Sequence, residues 1–146
     1  MTRGHSLSRR LPSSCERSVP YPPIVPLLVC KALLRLLAFD LERLGVNFGK
    51  LCRYVSDFPV ASRKRGDVVE VCTAINYACV WYPKRVLCLQ RSAVLTCLLR
   101  SRGIAAEMVM GAQNLPFKAH AWTEVDGRAV NERRDVQRTY RIWNRC

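Results

Sequence analysis

The sequence predicts an α+β domain in which N-terminal helices pack on a small antiparallel sheet. Three observations carry that prediction. Apolar residues recur at helical spacing up to Gly103, shorter strand-length apolar segments follow it, and Asp126-Gly127 between two of those segments is a strong hairpin signal. Helices first and strands afterwards is the order of an α+β fold, not of alternating βα units.

Each element can be justified in turn. Residues 1–26 are rich in Arg, Ser and Pro and close on VPYPPIVP, where prolines remove donors and hold the backbone extended, so a flexible basic leader is expected ahead of a single domain over 27–146. From Pro26, LLVCKALLRLLAFDLERLG reads as a helix with Lys31, Arg35 and Glu42 on one polar stripe and Gly45 placed to end it. Charges at Lys31, Arg35, Asp40, Glu42 and Arg43 interrupt the run before the ~20 apolar residues a bilayer needs, so a helix burying most of its surface is expected instead of a membrane span. GVNFGKLCRYVSDFPVASRKRG reads as a short helix or turn and then a basic loop. Asp67 is placed to cap VVEVCTAINYACVWYP, whose Val68, Val71, Cys72, Ile75, Ala78, Cys79 and Tyr82 follow the i, i+3, i+4, i+7 rule until Pro83 stops it. A further helix runs from Cys88 to Gly103, with Ala93, Val94, Cys97 and Leu98 on one face and Arg91, Arg100 and Arg102 elsewhere. IAAEMVMGA, KAHAWTEV and RAVNE then read as strands, and the tail RRDVQRTYRIWNRC is too short for a second domain.

Composition bounds the function. A chain of 146 residues buries ~70% of its unfolded surface, and 49% hydrophobic with 24% charged residues excludes a disordered polyelectrolyte. The formal charge of +13, carried mostly by Arg, predicts an acidic partner. Eight cysteines, at 15, 30, 52, 72, 79, 88, 97 and 146, form no C-x-x-C pair and no Cys/His cluster, which argues against zinc or a cofactor held by thiolates. The N-terminus has no apolar stretch before a small-residue cleavage site, so reduced thiols in a cytoplasm are expected.

Two residues stand out chemically. Cys88 opens its helix, where unpaired N–H groups, the helix dipole and nearby Lys84, Arg85 and Arg91 favour a thiolate, while Cys30, Cys72, Cys79 and Cys97 fall on apolar faces. His120, between two alanines on a strand, is the histidine placed to serve as its base; the other, His5, lies in the leader.

The stretch CLQRSAVLTCLLRSRGIAAEMVMG followed by FKAHAWTEVDGRAVNE resembles the transglutaminase-like cysteine peptidase of lasso-peptide biosynthesis, the protease half of the B protein. The resemblance covers about residues 65–135 and rests on a Cys-x-x-Arg-Ser helix start, an Arg-Gly helix end, and a Phe-x-Ala-His-Ala-Trp strand running into Val-Asp-Gly. It implies a transglutaminase/papain-like core, with Cys88 as nucleophile on a helix N-terminus and His120 as its strand-borne base. A third residue that orients the imidazole is implied at Glu132, while a two-residue turn at Asp126-Gly127 would instead put Asn131 on the His120 face.

The implied reaction removes a leader from a ribosomally made precursor peptide by thiolate attack and acyl-enzyme hydrolysis. The short chain shows no separate leader-recognition segment, so a split system is expected, with a small leader-binding partner and an ATP-dependent, asparagine-synthetase-like lasso cyclase acting on the freed core. Two other readings stay open: transglutaminase-type acyl transfer to an amine on the same triad, and a basic nucleic-acid-binding module with Cys88 merely buried. The second is disfavoured because the arginines are scattered and no strand carries paired aromatics for base stacking.

Overall fold

Side-chain caps set where two of the helices begin. The computed structural model describes residues 26–42, 47–63, 66–132 and 136–146, so Gly45 and the leader up to residue 25 lie outside the described residues. Among them the order is α1 (Pro26–Glu42), α2 (Phe48–Asp57), α3 (Val68–Trp81), α4 (Cys88–Ser101), β1 (Glu107–Asn114), β2 (Phe117–Val125), β3 (Arg128–Ala129), α5 (Val136–Thr139) and β4 (Arg141–Arg145). The Asn47 side chain accepts from Lys50 N–H at 3.0 Å to start α2. At α3, Asp67 accepts from Val68 N–H at 2.7 Å and Glu70 reaches back to the Asp67 amide, a capping box.

The helix Cys88–Ser101 is the centre of the domain. Gln90 and every residue from Ser92 to Arg100 are buried, so α4 does not divide into one apolar and one basic face as its sequence suggests. α1 and α3 pack on it from one side and β2 from the other. Its fully buried polar residues find partners, Gln90 at Leu36 O, Ser92 at Ala121 O, Thr96 at Thr123 and Arg100 at carbonyls, whereas Arg91 Nε on the same helix is buried without one. Arg100 donates to Val55 O, to Ser56 O at 3.1 Å and to Phe58 O at 3.4 Å, placing a cation on the C-terminal carbonyls of α2. α1 departs from expectation in the opposite sense. It buries only the stripe Leu28, Ala32, Leu36 and Phe39, and leaves Leu34 and Leu41 more than 60% exposed, at 66% and 62%. Among the described residues no helix is long and apolar enough to cross a membrane.

The sheet has the order β3-β2-β1-β4 and is antiparallel throughout. Met108, Met110 and Ala121 join Leu95, Leu98 and Leu99 in the main core, where each fully buried Leu is worth about 1.5–3 kcal/mol. Val109 and Trp122 on the opposite face form a second cluster under Val136 of α5. The sheet is therefore covered on both faces, and the tail, read in sequence only as too short for a second domain, supplies both α5 and the edge strand β4. Asp126 and Gly127 adopt φ of 50° and 70°, the two-residue turn that the pair Asp-Gly favours. The return strand is shorter than RAVNE suggests, pairing only through Arg128 and Ala129.

Candidate active site

The start of α4 is held by a polar knot one turn away. Asp40 on α1 accepts from Tyr82 Oη, from Gln90 Nε2 at 3.0 Å and from Lys84 Nζ at 2.8 Å. Burial opposes ionisation of Asp40, but Lys84, Tyr82 and Gln90 outweigh it and hold the carboxyl below its ordinary range. Burial, together with the bond to Asp40, pushes the Tyr82 hydroxyl up to about 12. These contacts fix the α3–α4 connection at both ends and so fix Cys88, although the sequence gives no sign that residues 40, 82 and 90 meet.

Early termination of β3 creates the site. Because β3 pairs only with Glu124 and Val125, the edge of β2 before them is open, and the first turns of α4 lie along it. Ser92 Oγ donates to Ala121 O at 3.0 Å, and Thr123 Oγ1 donates to Ser92 O at 3.2 Å. Asn131 completes the seam, accepting from Thr123 N–H at 2.8 Å and donating to Ser92 Oγ at 3.2 Å. Cys88 is half-buried at the end of this seam, where the His120 imidazole and the backbone amides of Ala121 and Leu89 act on its thiol.

His120 Nε2 lies 3.3 Å from Glu132 Oε1. The two-residue turn is thus correct, yet Asn131 does not face the imidazole as that register implies. The ladder gives out at Val130, whose N–H still donates to Thr123 O at 3.0 Å; beyond it the chain leaves the strand path, and Asn131 turns to Thr123 and Ser92 while Glu132 reaches His120. The same carboxylate oxygen is 3.8 Å from Arg91 Nη1, and Arg91 Nη2 donates to Asn76 Oδ1 of α3 at 2.6 Å. On its other side the imidazole stacks near Tyr140, with ring centroids 5.3 Å apart, and near Trp122 at 6.3 Å. Gly111, the cross-strand partner of His120, leaves room for both, since a Cβ there would fall 2.8 Å from Tyr140 Cβ and 2.9 Å from Trp122 Cη2. A glycine inside an apolar strand is the usual trace of such close approach, and it is readable in IAAEMVMGA. Tyr140 leaves no comparable trace.

The electrostatics favour a charged pair. The His120 hydrogen bond lowers the Cys88 thiol pKa, and the Ala121 and Leu89 amides add to it, against the opposing effect of burial. Reciprocally, the Cys88 bond and the Glu132 charge raise His120 above the ordinary imidazole value despite burial. Basic neighbours in sequence contribute differently from expectation: Lys84 is turned to Asp40 and Arg91 to Asn76 and Glu132. The other thiols are unlike Cys88. Burial pushes Cys72 up to about 11, and burial with a hydrogen bond to Cys52 pushes Cys146 up to about 12. Cys146 is buried although it ends the chain, and Cys30 is exposed although its helix suggests a core position. Among the described residues no three His, Cys, Asp or Glu side chains gather as a metal cage.

Comparison with known proteins gives the family. Residues 33–145 match the family model of the transglutaminase-like superfamily, a span that includes every residue of the site. Over 45 residues the chain is 42% identical to the microcin J25-processing protein McjB of Escherichia coli, a stretch covering 31% of this chain and 22% of that protein. No solved structure matches. With more than half of its length matched, the chain belongs to the transglutaminase-like superfamily.

Proposed function

We propose that the chain is a cysteine peptidase that cleaves the leader from a ribosomally made precursor of the lasso-peptide kind. The observation that carries this reading is the continuous contact from Cys88 through His120 to Glu132 at the helix–sheet edge. The likeness to a protein named for processing microcin J25 supports the substrate class. In the first step the Cys88 thiolate attacks the carbonyl carbon at the end of the leader. Leu87 gives α4 no side-chain cap, so opening amides of the helix other than that of Leu89 are available to the oxyanion that forms. His120, as imidazolium, gives its proton to the amine of the departing core, leaving the leader as a thioester on Cys88. Neutral His120 then takes a proton from water, which attacks the thioester and releases the leader carboxylate and the thiolate. Glu132 holds the ring in one tautomer and stabilises its cationic form. The precursor is delivered by a small leader-binding partner, and the freed core passes to an ATP-dependent, asparagine-synthetase-like cyclase.

The test combines the purified chain, the precursor and the leader-binding partner, with and without a primary amine, and follows products by mass spectrometry. Leader ending in a carboxylate and core with a new amine terminus are expected, with loss of both in Cys88→Ala and His120→Ala. Preferential capture of the added amine would make the chain an acyl transferase, and an intact precursor would refute the reading.

A further inference from the structure

Glu124, Trp122 and His120 alternate along β2 and so share one face of the sheet, with Trp122 between the other two. Glu124, at 2% exposure, is the one buried acidic side chain among the described residues. Its Oε1 accepts from Trp122 Nε1 at 2.7 Å and from Gln137 Nε2 at 2.5 Å, and its Oε2 accepts from Arg145 Nη1 at 2.8 Å. Burial opposes its ionisation, but the bonds from Gln137, Trp122 and Arg145 outweigh it and hold the carboxyl below its ordinary range. Gln137 Nε2 also donates to Gly127 O of the hairpin turn at 2.9 Å. A helix of four residues cannot hold itself, so α5 depends on these bonds and on buried Val136 to stay on the sheet.

Both rings beside the imidazole are anchored to this carboxylate. Trp122 is bonded to it directly, and Tyr140 follows Gln137 by three residues at the end of α5, its N–H on Val136 O at 3.1 Å. The Trp122 and Tyr140 ring centroids are 6.3 Å apart, and His120 completes the triangle at 6.3 Å from the first and 5.3 Å from the second. Apolar residues of similar volume often replace a buried ion pair without loss of stability, so what the carboxylate adds here is direction, fixing three donors at once. We infer that Glu124 is a positioning residue: through Trp122 and, by way of Gln137, through Tyr140, it fixes the plane of the His120 imidazole between Cys88 and Glu132. As a step in cleavage the inference rests on the peptidase reading. The placement of the ring does not, and can be measured without turnover.

The test uses the full chain carrying His5→Gln, which leaves His120 as the one histidine. It compares Glu124→Gln with Gln137→Met, which removes the bonds of an exposed side chain and nearly keeps its volume. In proton NMR the carbon-bound ring protons of His120 carry ring-current shifts from Trp122 and Tyr140, and these should shrink in both variants. Iodoacetamide labelling of Cys88 near neutral pH should slow by up to about tenfold, or one pKa unit. On the precursor, kcat should fall about tenfold at unchanged KM, inside the ~10²-fold that an ångström of misplacement costs. Val55→Ala, which opens a cavity in the main core under α2, should lower the melting temperature and change none of the three. In a Tyr140→Leu background, Gln137→Met should lower the melting temperature further without slowing the labelling again. Native shifts and labelling in either variant, equal slowing in Val55→Ala, or additive slowing in the Tyr140→Leu background overturns the inference; Gln137→Met alone decides it if Glu124→Gln does not fold. Should shifts and labelling change while the native chain never cleaves the precursor, the peptidase reading falls and the positioning of His120 remains. Native kcat in a variant with altered shifts sinks the positioning role alone.

Discussion

Replacing Glu132 by Gln removes one negative charge 3.3 Å from His120 Nε2 and keeps the length of the side chain. At that distance a carboxylate attracts an imidazolium by about 1 kcal/mol in water and about 5 kcal/mol at an effective dielectric of 20. Both side chains are partly solvated, at 21% and 27% exposure, and Arg91 at 3.8 Å draws on the same oxygen, so the effect belongs near the lower bound, about 1–2 kcal/mol. That is about one pKa unit, or tenfold in the thiolate–imidazolium pair where the pair is incompletely formed. It is far less than the ~10⁴ of a fully buried orienting carboxylate. The sign follows from the directions of the two shifts. His120 is held above its ordinary pKa, partly by Glu132, so the alkaline limb of cleavage should move to lower pH in Glu132→Gln. Cys88 is held below its ordinary pKa by its bond to His120, which is protonated in acid with or without Glu132, so the acid limb should stay in place. The pH profile narrows from the alkaline side. Alkylation of Cys88 by iodoacetamide reads the thiolate alone: it should fall by up to about tenfold near neutral pH, where the neutral thiol–imidazole form competes, and converge with wild type once the thiol is fully ionised. Superimposable profiles would refute a role for Glu132, and the same narrowing in Asn131→Ala at unchanged melting temperature would transfer that role to Asn131.

Further outcomes follow from the same contacts. Asn131→Ala should lower stability by about 1–2 kcal/mol, seen as a lower melting temperature, because it leaves the Thr123 amide without its partner and removes the one donor to Ser92 Oγ, which keeps its own bond to Ala121 O. Limiting iodoacetamide near neutral pH should label Cys88 first by peptide mapping, ahead of exposed Cys30, with Cys72 and Cys146 labelled last. Asp40→Asn should cost about 1–3 kcal/mol at neutral pH; because the folded pKa of Asp40 lies below its ordinary value, the advantage of the native residue is present above that value and should shrink as pH falls through the lowered one in acid-denaturation curves. Gly111→Ala should destabilise by about 1–3 kcal/mol and slow turnover, since the new methyl would displace Tyr140 and Trp122 from beside His120.

Local rules made most of the fold legible. Asp67 and Pro83 bracket α3, Gly103 follows α4, and Asp126-Gly127 sets the hairpin, each because one residue's conformational preference acts within a few positions. What local rules miss is tertiary. Polar residues on α4 do not mark a wet face when Ser92, Thr96 and Arg100 find partners on β2 and α2, and no periodicity in RTYRIWNR announces a strand whose residues are nearly all exposed. The site divides in the same way. Cys88 and His120 are readable from element position, whereas the choice between Asn131 and Glu132 turns on β3 ending two residues after the turn, which pairing alone cannot specify. The contribution of Arg91 was readable only as nearby charge, because its tie to Asn76 and Glu132 depends on how α3 and the return segment meet.

The most direct test of Cys88 as nucleophile is a rapid acid quench of the chain acting on precursor and partner, followed by mass spectrometry of the Cys88-containing peptide. The account predicts a hydroxylamine-labile thioester on Cys88 with the mass of the leader, absent from Cys88→Ala and greatly slowed in His120→Ala. Cleavage that persists in Cys88→Ala, or a leader adduct on any other cysteine, would contradict it.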